Sequence, residues 1–186
     1  DLANPAKSFT RRYIYDGQEI IAEADDSNLI LARFTHSTLR TDDVLAADIT
    51  DTGSTAGPNQ LAQTTGSYFY HKDALGSVTQ VSDADGNLLQ TYNYSSYGTI
   101  ASIRDSANND ITANPIVNTA FTFTNRESDQ ESGMMYYRAR YYDPSIGRFL
   151  QEDPDAGSIA NPQSVVNIFI AYTFEIATKK TGVCLF

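Results

Sequence analysis

The chain has 186 residues, 41% of them hydrophobic and 11% aromatic, enough apolar surface for a packed core and too much for wholesale disorder. Its formal net charge of −10 argues against a protein that grips a nucleic-acid backbone, which needs clustered Lys and Arg. The single cysteine, Cys184, excludes an internal disulfide framework and a cysteine-based zinc site, and the longest apolar run, residues 165–174, falls well short of the roughly 20 residues of a spanning helix.

Asp1 is not an initiator Met and no signal-peptide pattern follows it, so the chain reads as processed, excised or partial. Residues 1–10 show no clear period. A short strand is expected over 12–15, with Asp16-Gly17 as a hairpin turn, a return strand over 18–23, a polar turn at 24–28 and another strand over 29–34. Residues 35–65 are rich in Thr, Ser, Asp, Ala and Gly, broken at Gly57-Pro58-Asn59, and read as a long loop or insertion with a strand near 44–47. Residues 66–98 are the clearest block. Strands are expected over 67–70, 77–81 and 88–94, with turns at 71–76 and 83–87 and a close at Ser95-Ser96-Tyr97-Gly98. The last of these strands puts Leu88, Gln90, Tyr92 and Tyr94 on one face. Residues 101–119 are polar again. Phe121-Thr122-Phe123-Thr124 alternates as a strand, and 126–133 reads as a charged turn.

The most concentrated stretch follows. Residues 136–154 hold five aromatics, three arginines and two Asp-Pro pairs. Residues 136–142 alternate well enough for one strand, with Tyr137, Ala139 and Tyr141 on one face and Tyr136, Arg138, Arg140 and Tyr142 on the other. Asp143-Pro144-Ser145-Ile146-Gly147 is turn chemistry, and Arg148-Phe149-Leu150 starts the return, placing Asp143 about opposite Arg148. Weaker versions of the same unit, an aromatic strand followed by an Asp/Gly turn, begin at Tyr13, Tyr68 and Tyr92. No segment shows a 3.6-residue apolar period over three turns. The fold class is therefore all-β, built from antiparallel hairpins that bury one another's faces.

These residues resemble a known family. Tyr70-His71-Lys72-Asp73-Ala74-Leu75-Gly76-Ser77-Val78, then Asp83-Ala84-Asp85-Gly86-Asn87, then Tyr92-Asn93-Tyr94-Ser95-Ser96-Tyr97-Gly98, is similar to the RHS-repeat-associated core. Arg138 through Phe149 with Asp153-Pro154 resembles its terminal signature, and Tyr13-Ile14-Tyr15-Asp16-Gly17 looks like a YD repeat. The likeness covers about residues 11–157. It implies YD repeats forming part of a spiral β-shell around a variable C-terminal segment, often a toxin, in large bacterial proteins made in the cytoplasm and then secreted, surface-borne or injected. It divides the chain into YD-repeat strands at 1–34, a low-period stretch at 35–65, the core at 66–157 and a short divergent tail at 158–186. Partners would be the remaining YD-repeat shell and the C-terminal cargo, with a carbohydrate or cell-surface receptor as a further candidate, and no nucleic acid.

In several members of that family the core cuts the chain just after itself with aspartates of the terminal signature, which here would be Asp143 and Asp153. Two carboxylates at close quarters can share a proton, one as base and one as acid, with Arg148 or Arg140 steadying a carboxylate or an oxyanion. Spacing weighs toward turn capping instead: Asp153 lies five residues past Arg148, roughly 16 Å at strand rise, and a second bend at Pro154 would be needed. The box Asp153-Pro154-Asp155-Ala156-Gly157 is one residue longer than the family's, and residues 158–186 contain no Asp, which leaves no second box downstream. From Val165 onward the resemblance fails, as a broken reading frame would produce, and about thirty tail residues are too few to build a core.

The remaining motifs carry less. His71 near Asp73 could form a general base with its orienter, but turn residues explain both. Asp83, Asp85 and Asn87 alternate as in a calcium loop without the bidentate Glu that such a loop requires, so no metal or cofactor is expected. Tyr-rich faces could stack on sugars, though cross-strand packing accounts for them equally. Three functions follow: a structural shell segment, an autoproteolytic aspartyl module, or a carbohydrate-binding module, with the first favoured.

Overall fold

The computed structural model describes residues 11–39, 43–50, 61–129 and 132–152, and among these the chain is all-β apart from one 3-10 turn. The expected tail, residues 158–186, lies outside the described residues, as do residues 1–10 and the breaker at 57–59.

Eight strands follow one another across one sheet in chain order: β1 (Arg12–Asp16), β2 (Glu19–Ala24), β3 (Ile30–His36), β4 (Val44–Ile49), β5 (Gly66–Lys72), β6 (Val78–Ser82), β7 (Leu88–Tyr94) and β8 (Ile100–Asp105). A second sheet holds β9 (Glu127–Asp129), β10 (Met134–Tyr136), β11 (Tyr141–Asp143) and β12 (Arg148–Phe149), in the order β12-β11-β10-β9. Every neighbour within a sheet is thus the preceding or following strand, so no crossover is needed, although the connection from β4 to β5 is long. The residues group into two compact units. Among the described residues, one comprises those of 11–71, 79–92 and 102–119, and the other those of 72–78, 93–101 and 120–152.

In the first unit the buried face of the sheet carries Ala32, Val44, Ala47, Ile49, Tyr68, Tyr70, Val81 and Tyr92, and Leu31, next to Ala32 in β3, is buried as well. Two further segments lie on the same core. Ala62 and Val117 form an isolated antiparallel bridge, flanked by Gln63 N–H to Ile116 O at 2.8 Å and Asn118 N–H to Leu61 O at 2.8 Å, and Leu61, Ala62 and Val117 are all buried. In the second unit Phe123, Met135 and Tyr142 form the core, with Tyr94, Tyr137 and Phe149 packed against it. The rings meet edge-on: Tyr137 and Phe149 have centroids 5.3 Å apart at 89°, and Tyr142 and Phe149 5.5 Å apart at 61°.

Several expectations hold closely. β7 has the bounds read from its alternation, with Gln90 and Tyr92 buried and Leu88 and Asn93 exposed. The Asp16-Gly17 turn joins β1 to β2, with Gly17 at φ 62°. Arg148 is the register partner of Asp143.

Four expectations need correction. Val44–Ile49 is a full strand, paired on both sides, with Val44, Ala47 and Ile49 buried; it is longer than the piece expected at 44–47. Ile100–Asp105 is a strand that runs into residues 101–119, a stretch read only as polar and given no strand. The expected strand at Phe121-Thr122-Phe123-Thr124 stops early. Thr124 (φ 51°) and Asn125 (φ 57°) form a two-residue hairpin turn closed by Arg126 N–H to Phe123 O at 3.1 Å, and the charged turn after it begins as strand β9. Residues 136–142 are not one strand: Arg138 has φ 63°, Tyr137 N–H donates to Arg140 O at 2.8 Å, and the chain reverses so that Tyr136 pairs with Tyr141. Tyr137 and Tyr142, assigned to opposite faces by alternation, therefore come together with centroids 5.7 Å apart.

Candidate functional site

Five turns of the chain share one hydrogen-bonding plan. In each, a capping residue at position i takes an N–H from position i+4, donates its own N–H to the i+4 carbonyl, and receives the i+3 N–H on its carbonyl. At Asp25, Oδ1 accepts Ser27 N–H at 2.9 Å and Leu29 N–H at 2.8 Å. At Asp73 it accepts Leu75 N–H at 2.8 Å and Ser77 N–H at 2.9 Å. At Asp83 it accepts Asp85 N–H at 3.0 Å and Asn87 N–H at 2.8 Å, and at Asp105 Ala107 N–H at 2.9 Å and Asn109 N–H at 2.8 Å. Ser95 repeats the plan with its hydroxyl, which accepts Thr99 N–H at 3.1 Å. The i+3 residue is Asn28, Gly76, Gly86, Gly98 or Asn108, each at positive φ. Asp, or Ser at position 95, supplies the acceptor and Gly or Asn the left-handed backbone, so the pattern is Asp/Ser-x-x-Gly/Asn.

Sequence reasoning singled out Asp73 and the Asp83–Asn87 region but missed Asp25 and Asp105 as their equivalents. The spacing of three from Asp to the next Asn was the available signal. The alternating Asp83, Asp85 and Asn87 are not a cation loop. Asp83 Oδ1 is taken by its own turn, and Oδ2 accepts Asn87 Nδ2 at 2.9 Å. Among the described residues no cluster of three or more His, Cys, Asp or Glu could hold a metal ion.

Asp143 caps a variant of this turn. Its Oδ1 accepts the Ser145 hydroxyl at 2.6 Å and the Ser145 N–H at 2.8 Å, and its carbonyl accepts Gly147 N–H at 2.9 Å, one residue later than in the other five. The Ser145 hydroxyl, and then its N–H, hold the Asp143 carboxyl below the usual range. Hydrogen bonds from Asn87 and Asn109 do the same for Asp83 and Asp105, and the Thr112 hydroxyl for Asp110. Asp153, the other half of the candidate pair, lies outside the described residues. Arg148 stands opposite Asp143 across β11 and β12. Arg140 lies with its guanidinium 3.8 Å from the Phe149 ring centroid, and Arg126 4.9 Å from that of Tyr137, so both serve the aromatic core of the second unit. His71 Nε2 is 2.8 Å from Ser82 Oγ, and Asp73 is occupied by its own turn.

Sequence reasoning also missed Gln90. This side chain is fully buried, and its primary amide faces the backbone of Val117 as a strand neighbour would. Oε1 accepts Val117 N–H at 2.9 Å, and Nε2 donates to Val117 O at 2.8 Å and to Tyr92 Oη at 2.7 Å. Gln90 thus fastens the 116–118 segment to β7 without regard to its sequence. Below it, burial drives the Tyr70 and Tyr92 phenols upward, out of the range where they would ionise. Glu23 is also buried, and its carboxyl is raised by desolvation, partly offset by Arg11, whose Nη1 lies 2.8 Å from Oε2.

Comparison with known proteins agrees with this architecture. The nuclease WapA of Bacillus spizizenii, specific for tRNA3(Ser), is 30% identical over 148 residues, which is 78% of this chain and 5% of the relative. The toxin protein Tse5 of Pseudomonas aeruginosa is 35% identical over 86 residues, 46% of this chain and 6% of the relative. The chain thus spans about one-twentieth of the length of these curated relatives. The crystal structure of TcdB2-TccC3 without its hypervariable C-terminal region shares the fold, with a TM-score of 0.55 and 19% identity over 84% of this chain and 7% of that one. The model of one family, the teneurin YD-shell, matches residues 58–178. More than half of the chain is covered by that match, and the described strands run in the consecutive antiparallel order of such a wall: the chain belongs to the YD-shell family and is a segment of an RHS/YD-repeat β-shell.

Proposed function

We propose that this segment walls and closes the compartment of a polymorphic toxin-type protein, enclosing or presenting a variable C-terminal segment. The observation that carries the reading is that Gln90 fixes Val117 to the buried face of the sheet, with residues 61–63 bridged in turn to residues 116–118. A bare repeat wall would leave that face open; here chain crosses it and is fixed there. The relatives support the same class, since Tse5 is named a toxin and the TcdB2-TccC3 structure has a hypervariable C-terminal region. Partners would then be the rest of the YD-repeat wall and the enclosed cargo, in a protein secreted or delivered after synthesis in the cytoplasm.

Asp143 and Arg148 serve as architecture in this reading. The Asp143 carboxylate is engaged by Ser145, as befits a turn cap. Of the strand tyrosines, Tyr68, Tyr70, Tyr92 and Tyr142 are buried and pack, whereas Tyr13, Tyr15, Tyr136 and Tyr141 are exposed. The test is protease protection. In a protein carrying this segment with its natural downstream residues, the downstream part should resist trypsin under native conditions and be cut once the wall is unfolded in urea. Cutting at equal rates in both states would refute the enclosure.

A further inference from the structure

β8 is the last strand of the large sheet, and the chain that follows it starts a further strand and abandons it. Ile103 and Asp105 turn their backbone N–H and C=O groups away from the neighbouring strand, and residues 108–112 satisfy all four. Asp105 N–H donates to Asn109 O at 3.1 Å, and its carbonyl accepts Asn108 N–H at 3.0 Å. The Ile103 carbonyl accepts Ile111 N–H at 2.8 Å, and Arg104 and Asp110 form an antiparallel bridge between these contacts. In a continuing antiparallel pair Ile103 N–H would then donate to the Ile111 carbonyl. That carbonyl is turned away and accepts Asn114 N–H at 2.9 Å, in a turn that runs into Pro115. The Thr112 hydroxyl stands in for it: Oγ1 accepts Ile103 N–H at 2.8 Å. Asp110 aims that hydroxyl, its Oδ1 accepting the Thr112 O–H at 2.6 Å and the Thr112 N–H at 2.9 Å, which leaves the Oγ1 lone pairs to face Ile103.

We propose that Asp110-Ile111-Thr112 is an edge plug: it ends the wall at β8 by occupying the outward backbone groups of that strand, and so keeps β8 from pairing with β8 of a second copy. A sheet edge left open is a template for another strand. A further strand carried on past Ile111 would only move that template outward by one place. The plug avoids this because its last contact is a side chain, and because Pro115, three residues on, has no N–H to donate. The same reversal sends the chain on to residues 116–118, which bridge to residues 61–63. Thr112 is therefore the residue on which the stop turns, and the role is independent of what the wall encloses.

Hydrogen exchange and sedimentation velocity of the full chain test this together. Thr112 is exposed, so Thr112→Val keeps the shape and removes only the acceptor. At low concentration the Ile103 amide should exchange about tenfold faster than in the wild type, as the loss of one hydrogen bond implies. Between about 10 μM and 1 mM the variant should associate more than the wild type, with the Ile103 amide regaining protection as it does so. Thr112→Ser keeps the hydroxyl and should match the wild type in both measurements. Asp110→Ala leaves the hydroxyl but removes its aim, and should shift both in the same direction by less. Taking the wild type as reference removes association through any other surface. An Ile103 amide as protected in Thr112→Val as in the wild type overturns the proposal. So does a loosened amide without added association, association that leaves the amide unprotected, or a Thr112→Ser chain that behaves like Thr112→Val.

Discussion

Gly98 lies directly against the ring of Phe123: a β-carbon added there would overlap Cδ1 and sit 2.8 Å from Cε1. The fit joins two features of the second unit. Gly98 has φ 95° because it is the left-handed residue of the Ser95 turn, and Phe123 is brought to it by the hairpin reversal at Thr124 and Asn125. A left-handed backbone and a missing side chain are therefore both required at one position, which only glycine supplies.

That double requirement separates two substitutions that look alike in sequence. Gly86 occupies the same place in the Asp83 turn, at φ 83°, but nothing lies within 4 Å of an added β-carbon. Gly86→Ala should cost only the left-handed penalty, about 1–2 kcal/mol. Gly98→Ala should cost that plus about 1–3 kcal/mol of overpacking against the Phe123 ring. Urea unfolding of the two variants measures the difference, and equal losses would mean that Phe123 yields freely.

Gln90 should be the most costly polar residue to lose in the first unit. Gln90→Leu keeps the volume but strands the Val117 N–H in an apolar core, at about 1–3 kcal/mol for each buried group left unpaired. Hydrogen exchange should show the Val117 amide losing protection well beyond the global loss of stability. If it keeps its protection, the strap is not held by this side chain.

How much of this was legible follows from what each residue's signal is made of. Asp73 and Asp83 announce turns because a carboxylate and a glycine three residues on have one common purpose, and the alternation of Leu88 through Tyr94 marks β7 because one face is buried and the other wet. β8 hid because Ser102 and Arg104 break its apolar pattern while Ile100 and Ile103 fall on no single alternation. The break at Arg138 hid because Arg at positive φ carries no compositional mark, and with it went the pairing of Tyr136 with Tyr141. Gln90 gave no sign either, since a glutamine in an alternating strand looks the same whether it faces water or clamps a distant backbone. The opposition of Asp143 and Arg148 was readable from turn length alone.

Self-cleavage makes a further test of the closing hairpin. With Asp143 acting as a turn cap, the purified chain should keep its full mass on prolonged incubation, and Asp143→Ala should lower the thermal midpoint without changing the mass. A wild-type product cut near residue 157 that vanishes in Asp143→Asn would restore the catalytic reading of the Asp143 and Asp153 pair.

The stability of the chain should pass through a maximum in mildly acidic solution, because two groups of carboxyls pull in opposite directions. Asp83, Asp105, Asp110 and Asp143 have folded-state pKa values below the ordinary 3.8, owing to hydrogen bonds from Asn87, Asn109, Thr112 and Ser145. Their contribution is fully present above about pH 4 and is lost as the pH falls through the folded values. Glu23 has the opposite sign. Desolvation raises its carboxyl above 4.5, so its contribution is complete below that pH and is lost as the pH rises through the folded value. Thermal midpoints should therefore rise slightly on going from pH 7 toward 4.5 and then fall below 4. Glu23→Gln should abolish the first change and leave the second. Asn87→Ala combined with Asn109→Ala should shrink the second and leave the first, since each asparagine bonds only the carboxylate of its own turn. A fall that begins above pH 5 in the wild type, or one that both variants leave unchanged, would place the acid-sensitive groups elsewhere.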